Sequence, residues 1–451
     1  MKLWAPYAWL GGDAPAANVS TAPGASPAPD VLIETDGERI VSVTPDSPPG
    51  DAERLAGLVI PGLANAHSHA FQRALRGRTQ RVTGSFWTWR KQMYDLAGRL
   101  DPDSLLALTR ATFAEMALAG ITLVGEFHYV HHGPGGTSYE DANAMGAAVM
   151  EAAGQAGVRL TLLDACYLHG GIEPDPVQHR FFDPDVEAWV SRVDQLAPST
   201  PRVRLGGAIH SMRAVQPEAA AQVARWAAGR ELPLHAHVSE QRAENAACRE
   251  VYGATPTALL HYEGALTERF TAVHATHLSE EDIALLGEAR SFCCLCPTTE
   301  RDLGDGIARA RRLRDAGCRL TVGTDSHALI EPLEEARAIE LDERLATGVR
   351  GGHTAPGLLD AATASGYASL GWPEGGAIRP GALADFVSVR TDSVRLAGAP
   401  PGDLVDALVF AGAAADVRDV VLGGEFVVRH GAHVGLEVER ELAGAIAAVT
   451  R

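Results

Sequence analysis

Eight apolar, β-type runs recur through the middle of this chain, and each ends in polar residues: 58–69, 121–129, 158–167, 203–210, 232–238, 270–274, 291–296 and 318–325. Between them lie Ala-, Leu- and Arg-rich stretches with helical periodicity, such as 104–119 and 217–228. Gly120, Gly157 and Gly317 stand where a helix C-cap is expected before the chain returns to strand. A strand that is apolar along its whole length needs cover on both faces, and parallel strands joined by helices supply it. Eight such units predict a closed α/β barrel of the (β/α)8 type over residues 58–376. A doubly wound open sheet is the alternative, but it would not bring all eight strand ends to one mouth.

The flanks differ in character. Residues 1–57 and 377–451 carry short β-type runs, such as those beginning at Val31 and Val420, set among Gly and Pro. They are expected to pair as one small composite β-domain beside the barrel. Residues 11–29 are rich in Ala, Pro, Gly and Ser, and read as a loop.

Composition narrows the function classes. The chain has 451 residues, 46% of them hydrophobic, enough for a large core. No apolar run reaches the ~18 residues that a bilayer-spanning helix needs. The opening Met1-Lys-Leu-Trp-Ala-Pro6 lacks the features of a signal peptide, so a cytoplasmic protein is expected. A net charge of −18 argues against nucleic acid or an anionic membrane as partner. An anionic substrate would need local arginines to overcome that field. Six cysteines in so long a chain do not suggest a disulfide framework. Cys293, Cys294 and Cys296 could bind zinc, but adjacent strand residues face opposite ways, and buried small hydrophobes are the favoured reading.

The strand ends carry metal-type side chains. His67 and His69 close the run Pro61-Gly-Leu-Ala-Asn-Ala-His67-Ser-His69, and side chains two apart on a strand share a face. The fifth strand ends Leu234-His235-Ala-His237-Val-Ser-Glu240, the sixth at His274, and the eighth at Thr324-Asp325-Ser326. In a barrel these meet at the C-terminal mouth, where such folds place their active sites. Three imidazoles and a carboxylate suit one divalent ion with a position left for water.

These motifs resemble the amidohydrolase superfamily, in particular its deaminase branch. The resemblance implies His67, His69, His237 and Asp325 as metal ligands, with Glu240, His274 and Asp325 handling protons. His235 lacks the spacing to a glutamate and is given a structural role. Lysine separates subclasses: many binuclear members bridge two metals with a carboxylated lysine at the end of strand four. Here that strand ends in His210, and the only lysines are Lys2 and Lys91. A single ion is therefore expected, zinc first, with iron or manganese also compatible with the ligand types.

Within the superfamily the chain resembles the formiminoglutamate deiminases. The matching stretches are His67 to Arg73, Ser85 to Arg90, Glu126 to Tyr129, His210 to Val215 and Cys296 to Glu300. That likeness implies hydrolysis of N-formimino-L-glutamate to N-formyl-L-glutamate and ammonia, a step of histidine degradation. It assigns substrate contacts to Gln72, Arg90, Tyr129, His210 and Arg213. The substrate is a small dicarboxylate, and Arg90 and Arg213 could each clamp one carboxylate. Trp87 and Trp89 read as packing; Glu126, His128, His131 and His132 stand close to the site without an assignable order. Homodimerisation is implied by the resemblance alone. Two alternatives remain: a zinc-dependent deaminase of an aromatic base (with a chlorohydrolase-type relative behind it), and a non-catalytic scaffold on the same fold.

Overall fold

The computed structural model describes residues 1–11, 26–81, 83–170, 175–198 and 200–450. Eight parallel strands form the barrel in chain order: Leu63–Ser68, Ile121–His128, Arg159–Cys166, Val203–Ile209, Leu234–Val238, Phe270–His274, Phe292–Leu295 and Arg319–Val322. Every residue of the second and third strands is buried, their few polar residues (Thr122, Glu126 and His128; Arg159, Thr161 and Asp164) included. The eighth strand returns to the first at its C-terminal end, through a parallel bridge between Ser68 and Asp325.

Local sequence explains the connecting helices. Helix Pro102–Leu118 starts at Asp101, whose carboxylate accepts the Ser104 N–H at 2.8 Å while the Ser104 hydroxyl accepts the Asp101 N–H at 2.9 Å. This reciprocal cap, with Pro102 in the first turn, satisfies donors that the helix leaves open. The expected C-cap glycines 120, 157 and 317 all take positive φ, at 89°, 69° and 109°.

Both chain termini build the second sheet. Lys2–Ala8, Ala28–Asp36, Arg39–Thr44, Glu53–Arg54 and Leu58–Pro61 join Phe386–Val389, Val417–Leu422, Glu425–Arg429 and Ala432–His433. Leu58–Pro61 is the seam, parallel to Lys2–Ala8 and antiparallel to Phe386–Val389. This corrects the sequence expectation of one barrel strand over 58–69. The run divides at Gly62, and its first four residues belong to the terminal sheet. Apolar continuity does not reveal the division, because the run is buried in both sheets.

The loop expected at 11–29 lies mostly outside the described residues, and its end, Ala28 and Pro29, is strand. Buried Arg159 pins the two units together, donating to the Asp385 carboxylate at 2.7 and 2.9 Å and to Glu38. Among the described residues no helix is long and apolar enough to cross a membrane. All six cysteines are buried and unpaired.

Candidate active site

The first barrel strand presents His67 and His69 at its end, and the loop after strand eight brings Asp325 beside them. The approach is close because residue 323 is glycine. A Cβ there would sit 2.7 to 2.9 Å from the Cβ, O and N of His67. Asp325 Oδ1 lies 3.1 Å from His67 Nε2 and 3.4 Å from His69 Nε2, and His237 Nε2 is 3.1 Å from His67 Nε2. All four ligand atoms fall within 4.8 Å of one another. Ligands about 2.0–2.1 Å from a tetrahedral zinc ion are about 3.3 Å apart, so the spacing fits one such ion.

Protonation and orientation fit as well. His69 Nδ1 donates to the Phe127 carbonyl at 2.9 Å, and His237 Nδ1 to the His210 carbonyl at 2.8 Å. In that tautomer each Nε2 lone pair faces its neighbours, as a ligand needs. Burial pushes His67 down to about 3 and lowers His69 and His237 too, so all three imidazoles are neutral at pH 7. Burial alone would raise Asp325, but the hydrogen bond with His67 and the charge of His274 hold its carboxyl below the usual range. Neutral imidazoles and an ionised carboxylate are the forms that bind a cation.

Five non-glycine residues at this mouth have left-handed backbones: Ser239 (φ 53°), His274 (67°), Ala275 (52°), Asp325 (44°) and His327 (55°). Each such conformation costs on the order of 1 kcal/mol, and such strain concentrates at functional sites.

Glu240 and His274 stand next to the quartet. Glu240 Oε2 accepts from Arg213 Nη2 at 2.9 Å, and its Oε1 lies 3.9 Å from His274 Nε2. His274 Nδ1 is 3.4 Å from Glu300 Oε1. Burial would lower His274, but Glu240, Glu300 and Asp325 raise it to about 10, making it a buried cation at neutral pH. Glu300 is held in turn by the Cys296 N–H at 2.9 Å.

Of the residues expected at the site, His69, Gln72, Arg90, Tyr129, His210, Arg213, His237, Glu240, His274 and Asp325 all line one cavity. His67 lies behind it, fully buried. Gln72 Nε2 donates to the Tyr129 hydroxyl at 3.0 Å, which leaves its buried Oε1 without a protein partner. Arg90 lies over Trp87 and Tyr94, 4.5 and 5.5 Å from their ring centroids. The sequence expectation for Arg213 was a carboxylate clamp, and the structure adds its ion pair with Glu240.

The histidines near strand two separate cleanly. Glu126 braces the centre from below, accepting from Ser68 Oγ at 2.5 Å and the Ala70 N–H at 2.7 Å. His128 and His131 group instead with Asp164, on which the Arg192 guanidinium sits at 2.8 and 2.9 Å. His132 faces Asp183, a second Arg192 partner. A carboxylate already neutralised by arginine is a poor cation ligand, so this cluster is structural. His235 Nε2 meets the Ser369 carbonyl at 3.0 Å, consistent with packing.

Sequence reasoning missed Glu300, Glu244, Tyr94, Tyr167 and Gln178. Glu244 had a local signal, one helical turn after Glu240, whose N–H it accepts at 3.1 Å. Tyr94, Tyr167 and Gln178 reach the cavity from separate elements, and no spacing announces them; Glu300 closes the matched stretch from Cys296, but only its contact with His274 shows its place.

A parallel barrel with an imidazole–carboxylate centre at its mouth defines a metal-dependent hydrolase class. The Amidohydrolase family model matches residues 58–427, and the chain belongs to that family. Formimidoylglutamate deiminase of Pseudomonas aeruginosa is 38% identical over 425 residues, covering 90% of this chain and 92% of that protein. The crystal structure of an amidohydrolase from Brucella melitensis superposes with a TM-score of 0.90 at 33% identity, over 100% of both chains. Atrazine chlorohydrolase from Arthrobacter aurescens, solved in complex with zinc, gives 0.85 at 25% identity, over 99% of this chain and 100% of that one.

Proposed function

We propose that the protein is a metal-dependent deiminase that hydrolyses N-formimino-L-glutamate to N-formyl-L-glutamate and ammonia. The observation that carries this reading is one cavity holding both the His69–His237–Asp325 edge of the quartet and two arginines, Arg90 and Arg213. The substrate offers two carboxylates and a cationic formamidine. Gln72 Oε1, buried and without a protein partner, is an acceptor suited to a formamidine N–H. The likeness to the Pseudomonas deiminase over nine-tenths of both chains supports the same substrate.

His67, His69, His237 and Asp325 would hold the ion, which we take to be zinc. A bound divalent ion lowers the pKa of water from about 15.7 to about 7 and so supplies hydroxide at neutral pH. Asp325, ionised and facing the cavity, accepts a proton from the attacking water. His274, a cation beside Glu240, holds positive charge near the reacting carbon. Glu240 takes the proton from the hydroxyl of the tetrahedral adduct and carries it to the leaving nitrogen, so the C–N bond breaks to ammonia as the new C=O forms. Arg213, anchored at Glu240, clamps the carboxylate nearest the formamidine, and Arg90 takes the distal one. Fixing both ends positions the carbon for attack, which lowers the barrier entropically.

An aromatic-base deaminase would need the same centre with a wall suited to a neutral ring, and the two guanidiniums disfavour it. The test is ammonia release by zinc-loaded protein from N-formimino-L-glutamate, with N-formimino-L-aspartate and guanine in parallel. Release from the glutamate compound alone is expected. Activity on guanine without it would discard the roles of Arg90 and Arg213. The resemblance also includes a homodimer in this proposal, which light scattering in solution would test.

A further inference from the structure

The chain leaves barrel strand five through a turn that carries Glu240. Ser239, just before it, has φ 53°, a left-handed backbone that an L side chain adopts only where its surroundings impose it. The Ser239 hydroxyl is buried without a partner, so the side chain does not hold the turn itself. On the carbonyl side the hold comes from the loop after strand six. Ala275 N–H donates to the Val238 carbonyl at 3.1 Å, and His277 N–H to the Ser239 carbonyl at 3.0 Å. On the other side, the Glu240 N–H meets no backbone carbonyl among the described residues and needs an acceptor of another kind.

Glu244 supplies it. Helix Arg242–Tyr252 follows the N-cap Gln241, so Glu244 stands in its first turn, three residues past the cap. A glutamate at that position ordinarily returns to the N–H of the cap residue itself. Here it reaches one residue further, and its Oε2 accepts the Glu240 N–H at 3.1 Å. Capping a helix does not require a buried carboxylate, yet Glu244 is only 2% exposed and its Oε1 has no hydrogen-bond partner. Such burial is costly. The one group this carboxylate holds by a hydrogen bond is the backbone of the proposed proton carrier.

The neighbouring contacts show what that hold protects. The Glu240 carboxylate must stay between Arg213 Nη2, at 2.9 Å, and His274 Nε2, at 3.9 Å. Gln241 Nε2 donates to the Asp305 carboxylate, which fixes the residue after it. A free Glu240 N–H would let the peptide after Ser239 rotate and carry the carboxylate off this position. Proton transfer works only within hydrogen-bond reach, so such a displacement slows turnover more than it weakens substrate binding.

We propose that Glu244 is a positioning residue that pins the Glu240 N–H across the left-handed turn at Ser239 and so keeps the Glu240 carboxylate where the proton is transferred. This rests on the deiminase reading and adds to it the residue that aims its proton carrier.

The experiment measures ammonia release from N-formimino-L-glutamate by zinc-loaded unsubstituted protein, Glu244→Leu, Glu244→Gln, Glu240→Gln and the Glu240→Gln/Glu244→Leu double variant, with metal content and a thermal melt on each. Glu244→Leu removes the acceptor, and kcat should fall by about ten- to a hundredfold with KM and metal content largely kept. Glu244→Gln keeps an acceptor oxygen without the charge and should hold kcat within about threefold of the unsubstituted value. In the Glu240→Gln background, where that side chain no longer carries a proton, Glu244→Leu should cost no further turnover. Should the leucine variant fail to fold, Glu244→Asp, one methylene short of the same N–H, replaces it with the same expectation. The proposal is overturned if the folded variant lacking the acceptor turns over at a near-normal rate, if Glu244→Gln is as slow as that variant, or if the two single losses multiply in the double one. No ammonia from formiminoglutamate with unsubstituted protein would instead reject the deiminase reading, and this proposal with it.

Discussion

The backbone N–H of Asp325 donates to the His67 carbonyl at 3.0 Å, while the Asp325 carboxylate lies 3.1 Å from Nε2 of the same histidine. His69 completes the seam, its N–H donating to the Asp325 carbonyl at 3.1 Å. The residues that gather at the centre are thus the residues that close the barrel. Asp325→Asn keeps the backbone seam and removes the charge. Metal bound after dialysis should drop to about a tenth or less of the unsubstituted level, with the near-UV circular dichroism retained. Near-stoichiometric metal in that variant would remove Asp325 from the ligand set.

Gly323 is where that seam has no room. In Gly323→Ala the new methyl meets His67 backbone atoms at under 3 Å, and backbone cannot swing away as a side-chain tip can. We expect a loss of about 1–3 kcal/mol in stability together with weaker metal binding. Denaturant midpoint and metal titration read the two effects. An alanine variant with both unchanged would show that strand eight can shift freely against His67.

Glu240→Gln separates chemistry from binding. The amide still faces Arg213 and His274 but cannot carry the proton. Turnover should fall by about 10²–10⁴, with metal content and KM near those of the unsubstituted protein. Turnover within a few-fold of normal would reassign the proton transfer.

The two arginines should fail differently. Arg90 lies over Trp87 and Tyr94 and forms no ion pair among the described residues, so Arg90→Met should raise KM by about ten- to a hundredfold with kcat largely kept. Arg213 is also the partner of Glu240, so Arg213→Met should lower kcat as well. Steady-state kinetics on the dicarboxylate decides, and identical effects from both would argue against the assignment of one arginine to each carboxylate.

Buried neutral histidines away from the centre set an acid limit. Burial, with His131 adding, pushes His128 down to about 3. Burial, with Arg192 adding, pushes His131 to about 4, and burial brings His235 to about 4 against its bond to Ser369. Unfolded, each takes a proton near 6.5. Between that pH and 3–4 the unfolded chain binds more protons, so stability falls as pH drops through 6.5. Melting temperature should decline from pH 7 to 5, with bound metal measured at each point. His235→Gln, which keeps a donor for Ser369, should flatten that slope; an unchanged slope would exclude His235 as a contributor.

The barrel was legible in the sequence because parallel strands covered on both faces leave a near-continuous apolar run, and the runs at 121–129 or 203–210 need no partner to be recognised. The centre was legible because a strand holds His67 and His69 on one face and a (β/α)8 barrel sends all strand ends to one mouth. The split of 58–69 at Gly62 was not, since burial in either sheet selects the same residues. Nor were the ion pair between Arg213 and Glu240, the sorting of Glu126 from His128 and His131, or the wall of Tyr94, Tyr167 and Gln178. Those depend on side-chain direction and on contacts between residues distant in the sequence, 27 positions apart for Arg213 and Glu240 and 58 for Ser68 and Glu126, which periodicity along the chain does not encode. Sequence alone determined that eight barrel strands exist and which chemistry their ends could hold. The tertiary structure decided which side chains face one another, because hydrogen bonds and ion pairs form only at distances that packing sets.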